Sequence, residues 1–378
     1  YKGENLYLES EKNIINSNIK NFVYEIDWLN PNEEVIGNIN IDVISGNANF
    51  DDENNNKRSA SLTLANLDKQ YLPFESTKMQ INNKVRLKCG YKYGNNQKIL
   101  YNKGIYLLGN PNVLSNPSQR EISLQLLDKW VMLDGTISGK LKSKYIIPVN
   151  TRVDIAIKAL IIDEAGESKY IIDECAEQLP YSVTKEAGNT IADLIIEICN
   201  IVSYDAFYND EGVFIFRKKL DIDSLQSLPV SWYYTTSGIY LGSNREVDWN
   251  SVRNSIKVIG MTKSDGTMCQ GTAQDTNINS RFSIPNIGER FELIEDENIY
   301  TSELATLRAN YELQKRIIIN EKVAANIIPN LSHKVGDVIN IIDENNGCNS
   351  NYYLQSIDFN FGYDSVMNLN LWAIRDWR

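Results

Sequence analysis

The sequence predicts a mainly β fold of the α+β class: two antiparallel β-barrel or sandwich modules with smaller α/β pieces inserted between them. Three observations predict it. Tyr (21) outnumbers Phe (10), and with Ile and Val it suits pleated, half-buried surfaces. Apolar residues alternate in period two through several segments. The end of the chain also echoes its beginning.

That echo is a series of three strands. Near the N-terminus run Asn83–Lys88, Gly104–Leu108 and Arg120–Trp130. Near the C-terminus run Lys334–Ile341, Asn351–Ile357 and Val366–Trp377. The separations are similar, 18 residues from Tyr106 to Leu124 and 16 from Tyr353 to Leu369. A duplicated β module lets three subunits present six similar units.

The individual elements follow from local pattern. Phe22–Trp28 and Ile39–Ile44 are rich in β-formers, separated by the breaker Asn30-Pro31-Asn32. Asp51–Asn56 reads as a solvated loop. It fails as a calcium loop, with Asn56 where glycine is needed and Leu62 where glutamate is needed. Ser59–Asn66 places Ala60, Leu62 and Leu64 on one face. Lys84–Tyr91 places Val85, Leu87, Cys89 and Tyr91 opposite Lys84, Arg86 and Lys88. Ile122, Leu124 and Leu126 continue the pattern, so the first ~135 residues form an antiparallel module with one wet face.

The period changes after Asp134-Gly135. Asn150-Thr151 is the expected cap of a helix carrying Val153, Ile157, Leu160 and Ile161. Thr190–Asp193 is a capping-box start before Leu194, Ile195, Ile198 and Val202. Tyr204–Phe216 reads as a hairpin across Asn209–Gly212. Ser255–Met261 is a further strand, 262–299 a loop-rich or small β lobe, and Ser302–Arg316 a helix with Leu304, Leu307 and Tyr311 along one side. The expected division is 1–140 for the first β module, 141–228 for an α/β insertion and 229–378 for the second module with the inserted lobe 262–299.

The composition narrows the chemistry. Hydrophobic content of 42% and charged content of 23% are ordinary for a folded chain. A net charge of −11 opposes a phosphate-gripping surface. Five widely spaced cysteines without a CxxC pair read as reduced, packed thiols rather than as disulfides or a zinc site. No apolar run reaches the roughly 18 residues that span a bilayer.

No catalytic, cofactor-binding or metal-ligating residue stands out. The single histidine, His333, excludes any site needing two imidazoles and reads as an exposed loop residue. No phosphate-binding glycine loop occurs. Lys140–Lys144 reads as a solvated basic linker. Paired carboxylates stay open among 49 acidic residues. Trp372 and Trp377 read as core or subunit-interface residues rather than a sugar platform, with Trp372 on the face opposite Met367, Leu369 and Leu371.

Ile328–Ile339 contains a Pro-x-Leu turn followed by a Gly-Asp-x-Ile strand start. It precedes Tyr353–Ile357 and Met367–Leu371, while Arg58–Asp68 and Tyr71-Leu72-Pro73 stand near the N-terminus. In that order these segments resemble the baseplate hub, or tail hub, of long-tailed bacteriophages and phage-tail-like particles. The hub part of type VI secretion spikes is a more distant likeness. The resemblance covers both β modules and only weakly the insertion.

It implies tube-like modules in a non-enzymatic homotrimer, a virion structural protein whose ring of six modules adapts a sixfold tail tube to a threefold central spike. The implied partners are the tail tube or distal tail protein, the spike, other baseplate proteins, and DNA or a tape measure protein passing through the lumen, with no membrane and no cofactor. The implied location is the virion tail baseplate, after synthesis in the bacterial cytoplasm. The acidic balance raises the hypothesis of a negative lumen. If the chain ends at Arg378, any cell-wall cutting lies on another protein; if it continues, an enzyme could follow. The alternatives are a tail-associated peptidoglycan hydrolase and a carbohydrate-binding tail adhesin.

Overall fold

The computed structural model describes residues 9–17, 20–39, 43–94, 97–263, 265–318, 321–362 and 365–374. Helix α1 (Glu9–Asn16) leads into β1 (Asn21–Leu29), β2 (Val35–Ile39), β3 (Val43–Asp51), β4 (Arg58–Ala65), β5 (Lys84–Tyr93), β6 (Gln97–Leu108), β7 (Asn112–Ser115) and β8 (Arg120–Asp128). Next come β9 (Tyr145–Ile147), α2 (Val153–Ala159), β10 (Tyr170–Ile172), β11 (Val183–Lys185), α3 (Ile191–Val202), β12 (Tyr204–Tyr208) and β13 (Phe214–Lys218). The remainder is α4 (Ile222–Ser227), β14 (Val230–Thr235), β15 (Tyr240–Val247), β16 (Ser255–Thr262), β17 (Met268–Gln274), α5 (Ile284–Ile287), β18 (Phe291–Glu295), α6 (Ser302–Ile318), β19 (Glu321–Ile327), β20 (Val338–Asp343), β21 (Cys348–Phe361) and β22 (Met367–Ala373).

The fold is mainly β and mostly antiparallel. One long sheet runs β15-β19-β22-β21-β3-β4-β8-β6-β5-β1-β2, with β20 on β21, β14 on β20, and β7 on β8. Its two halves share a strand order. In the first, β3-β4-β8-β6-β5 are successive antiparallel neighbours. In the second, β15-β19-β22-β21-β20 are the same. Beyond them β1 pairs antiparallel with β5, whereas β14 pairs parallel with β20. The repeat therefore extends over five strands and changes sense at the sixth.

Alternation sets which face is buried. Along β4, Arg58, Ala60, Leu62 and Leu64 point inward; along β19, Glu321, Val323, Ala325 and Ile327 do so. One apolar core takes residues from both terminal regions, among them Trp28, Leu62, Leu87, Leu124, Ile339, Leu354 and Leu369. A second core lies within residues 130–216 and includes Leu160, Leu194, Ile198 and Phe214. A third gathers Ile256, Val258, Ala305, Ala309 and Ile317 where α6 meets β16. All five cysteines are free and buried, as packed thiols.

Three local expectations need correction. The cap of α2 is Arg152, with no side-chain cap bond, because the Thr151 hydroxyl donates instead to the Pro148 carbonyl at 2.7 Å. The face of α6 is turned: Ala305, Ala309, Leu313 and Ile317 are buried while Leu307 is 66% exposed. A Cβ on Gly271 of β17 would lie 2.2 Å from the Thr306 backbone nitrogen, so the helix backbone rests on the strand and only its small-residue face fits there. His333 is 1% exposed rather than a solvated loop residue. The Thr190 capping box forms as expected, with Asp193 N–H donating to the Thr190 hydroxyl and Thr190 N–H to the Asp193 carboxylate.

Candidate functional site

The feature that organises the molecule is the seam between its two β halves. Residues 356–361 of β21 pair antiparallel with residues 46–51 of β3: Ser356 faces Asp51, Asp358 faces Asn49 and Phe361 faces Gly46. β21 is long enough for this because β20 covers only its first part, Cys348–Tyr353, leaving the rest of that edge for β3. The Asp52 N–H donates to the Gln355 carbonyl at 2.9 Å, and the Tyr353 hydroxyl donates to the Asp52 carboxylate.

Aromatic rings close the seam on the buried side. Phe50 stacks with Phe359 at 6.2 Å, Phe359 meets Phe361 at 5.3 Å, and Tyr24 meets Phe361 at 4.6 Å. A Cβ on Gly46 would sit 2.4 Å from the Phe361 ring and 2.5 Å from the Ser61 carbonyl oxygen, so glycine is required there.

A second clasp holds the loop before β20. The Tyr91 hydroxyl donates to the Pro329 carbonyl at 2.9 Å and accepts from the Leu331 N–H at 2.7 Å. The Lys103 ammonium, buried, donates to the His333 carbonyl at 2.8 Å. The His333 ring has Nε2 2.6 Å from the Tyr234 hydroxyl and Nδ1 3.5 Å from the Asp337 carboxylate. Burial pushes its pKa below the ordinary histidine value, although Asp337 opposes this. This imidazole is part of a packed wall, and sequence reading missed it because a polar turn motif gives no sign of being clasped from 230 residues away.

The 130–216 region is tied to the first half by buried charge. Glu33 accepts from Lys84 at 3.0 Å, Lys129 at 2.8 Å and Lys169 at 2.6 Å, and Lys129 also reaches Glu167 at 2.6 Å. Burial disfavours the Glu33 carboxylate, but the three ammonium groups outweigh it and hold its pKa at about 2. Arg58 lies between Asp128 at 3.6 Å and Asp210 at 3.3 Å. Burial is the largest influence on Asp128 and pushes its carboxyl up to about 6.

The wet face of the long sheet has an unusual lining. Four of its side-chain ladders lie at and around the seam. The first contains Asn244, Ala324, Asn370, Ser356 and Asp51. The second contains Gly242, Asn326, Asn368, Asp358, Asn49, Ser59 and Leu127. The third contains Asn360, Asn47, Ser61 and Gln125, and the fourth Ser45, Thr63, Ser123 and Asn112. Asp51 and Asp358 are the only ionisable groups in these ladders. Several members bond across strands: Ser61 to Asn47 at 2.8 Å, Asn370 to Ser356 at 2.8 Å, and Asn49 to Asp358. These ladders are hydrophilic and continuous through the seam, and charged residues of the same face flank them, with Glu246 opposite Lys322 on one side and Glu121 opposite Ala65 on the other.

The residues weighed from sequence fall elsewhere. Trp372 shares the wet-face parity of Asn368 and Asn370, is half-buried, and packs on Tyr353 at 4.5 Å. Trp377 lies outside the described residues. In the Asp51–Asn56 loop, Asp51 accepts from Glu53 N–H and Asn54, and Asp52 pairs with Lys57 at 2.6 Å. Among the described residues no cluster of metal-ligating side chains occurs. No described helix is long and apolar enough to cross a membrane. A cleft of about 680 Å³ between α6 and the 205–225 segment mixes Arg217, Lys219, Arg316 and Lys322 with Asp205 and Glu312.

Against solved structures, this architecture is that of phage tail proteins. A tail protein from Neisseria meningitidis matches with a TM-score of 0.65 at 12% identity, over 92% of this chain and 96% of that one. The prophage MuSo2 43 kDa tail protein from Shewanella oneidensis matches with a TM-score of 0.61 at 11% identity, over 93% and 98%. A Francisella PdpA–VgrG complex matches with a TM-score of 0.59 at 10% identity, over 95% of this chain and 54% of that one. No protein-family model and no curated protein matches the sequence. At these identities the likeness is one of fold, and that fold is the one the sequence resemblance implied.

Proposed function

We propose that this chain is the structural hub of a phage or phage-like tail baseplate. Three copies close into a ring of six similar β modules, which adapts a sixfold tail tube to a threefold central spike. The observation that carries this reading is the seam between β3 and β21. It joins two halves of equal strand order edge to edge, so a single chain already contains one step of the ring.

The division into a first module (1–140), an insertion (141–228) and a second module (229–378), with the lobe 262–299, belongs to this proposal. The polar face supplies the lumen wall. Neutral amide and hydroxyl ladders stay hydrated yet offer neither cations to hold a phosphate backbone nor many anions to repel it. The insertion faces outward, toward other baseplate proteins. The tube or distal tail protein and the spike bind the two ends of the ring, and DNA or a tape measure protein passes through it. The particle assembles from chains made in the bacterial cytoplasm.

The role is non-enzymatic, and the similar solved structures are of tail and secretion components. Electron micrographs of the purified chain test the reading. Class averages should show a threefold ring with six lobes around a pore. A two-fold dimer, or clearing of a peptidoglycan zymogram by the pure chain, would count against it.

A further inference from the structure

The internal seam leaves a matching pair of edges, one on β15 at an end of the sheet and one on β7, which branches off β8. The strand equivalence places β3 with β15, β4 with β19, β8 with β22, and β7 with the last residues of β21. The registers agree across the repeat. Leu62 faces Leu124 as Ala325 faces Leu369, and Leu64 faces Ile122 as Ile327 faces Met367. One strand further out, Gly46 faces Leu62 as Ser243 faces Ala325, and Ala48 faces Ala60 as Arg245 faces Val323. On the other side, Val113 faces Ile122 as Phe359 faces Met367. Val113 therefore stands where Phe359 stands, and Arg245 where Ala48 stands. Phe359 and Ala48 are partners in the seam.

We propose that β7 of one subunit pairs antiparallel with β15 of the next, repeating the internal seam. Asn112 lies opposite Glu246 of the partner subunit, Val113 opposite Arg245 of the partner subunit, Leu114 opposite Asn244 of the partner subunit, and Ser115 opposite Ser243 of the partner subunit. This rests on the ring reading and names the surface that closes it.

The edges carry the marks of a missing neighbour. All four residues of β7 are exposed, and among the described residues β7 pairs only with β8. Val113 is 40% exposed although it shares a face with Ile122, which is 0% exposed; its counterpart Phe359 is 3% exposed once β3 covers it. Leu114 is 45% exposed. Among the described residues β15 pairs only with β19. Two strand edges left open in a single chain are a liability that closure removes. The contents also fit. The internal seam sets a large Phe361 against Gly46, and the proposed one sets two serines together. It sets Phe359 against Ala48, and the proposed one sets Val113 against an arginine stem. The other terminal strand, β2, has no counterpart in the second half, so the repeat gives it no partner.

Disulfide trapping in the full chain tests the register. Directly opposed antiparallel residues have Cα atoms about 4.5–5.5 Å apart, within disulfide reach. The five native cysteines are buried and do not compete. Under mild oxidation, Ser115→Cys/Ser243→Cys and Leu114→Cys/Asn244→Cys should each give covalent dimers and trimers on a non-reducing gel. The single variants should stay monomeric on that gel, and the mismatched Leu114→Cys/Ser243→Cys should cross-link at least tenfold less. A three-chain particle by native mass without cross-linking in either matched pair would overturn this seam and leave the ring standing. A one-chain mass at high concentration without cross-linking would overturn the ring and the seam together.

Discussion

The Phe361 ring lies across Gly46, and this contact joins the two β halves where strand 348–361 meets strand 43–51. Besides the Phe361 ring, a Cβ on residue 46 would strike the backbone oxygen of Ser61, which cannot swing aside. Gly46→Ala should therefore destabilise the chain by about 1–3 kcal/mol, as overpacking of a filled core does. The urea midpoint should fall. Ser45→Ala next to it, on the wet face, should change stability by no more than about 0.5 kcal/mol.

Lys129 should be the most sensitive of the buried cations. It is fully buried, reaches both Glu33 and Glu167, and donates to the Gly212 carbonyl at 2.7 Å. Lys129→Met leaves two carboxylates short of a partner. The expected loss is about 3–5 kcal/mol, read from denaturant unfolding. Lys144→Met removes an exposed pair with Glu186 and should cost less than about 1 kcal/mol.

Acid should release the same cluster. The folded-state pKa of Glu33, about 2, lies below the ordinary value of 4.5. The unfolded chain therefore binds more protons in that window. The stability Glu33 contributes is complete above about pH 4.5 and is lost as pH falls toward 2. Glu33→Gln should flatten this part of the stability–pH curve. An unchanged slope would show that Glu33 is not held by its three lysines.

His333 is the only histidine in the chain, so its ring protons give an unambiguous NMR signal. Its folded-state pKa lies below 6.5 because burial penalises the imidazolium. The titration midpoint should lie below the ordinary value. The stability tied to it is present above pH 6.5 and declines below that as the unfolded chain takes up the proton. A midpoint above 6.5 would mean that Asp337 dominates over burial.

If the neutral ladders at the seam govern what slides past them, adding cations there should make the face adhere to DNA. The full chain should show no measurable duplex binding at physiological salt. Asn47→Lys/Ser61→Lys/Asn370→Lys places three ammonium groups among the ladders and should bind DNA with a steep salt dependence. Melting temperatures should stay close, since Asn47, Ser61 and Asn370 are exposed.

Much of the fold was legible wherever one face of an element is dry and the other wet. The alternation of Leu62 and Leu64 with Ser61 and Thr63 named β4 and both its faces, and Thr190 announced α3 through its own hydroxyl. What escaped depends on partners distant in sequence. The inward face of α6 was misread because apolarity favoured Leu307, whereas the close approach of Gly271 selected Ala305 and Ala309. His333 was misplaced because its burial is made by Lys103 and Tyr234. The duplication was visible as two similar strand series, but not the seam, since nothing local in Gly46 reveals the Phe361 ring above it. The candidate surface was the least legible part. Abundant asparagine was plain in the composition, but its gathering into four ladders on one sheet face appears only once the strands are in register.

Native mass spectrometry of the full chain at high concentration tests the central claim most directly. A duplicated module that closes head to tail in threefold symmetry predicts a particle of three chains, with no two-chain species accumulating. A single chain at every concentration, or a stable two-chain species, would contradict it.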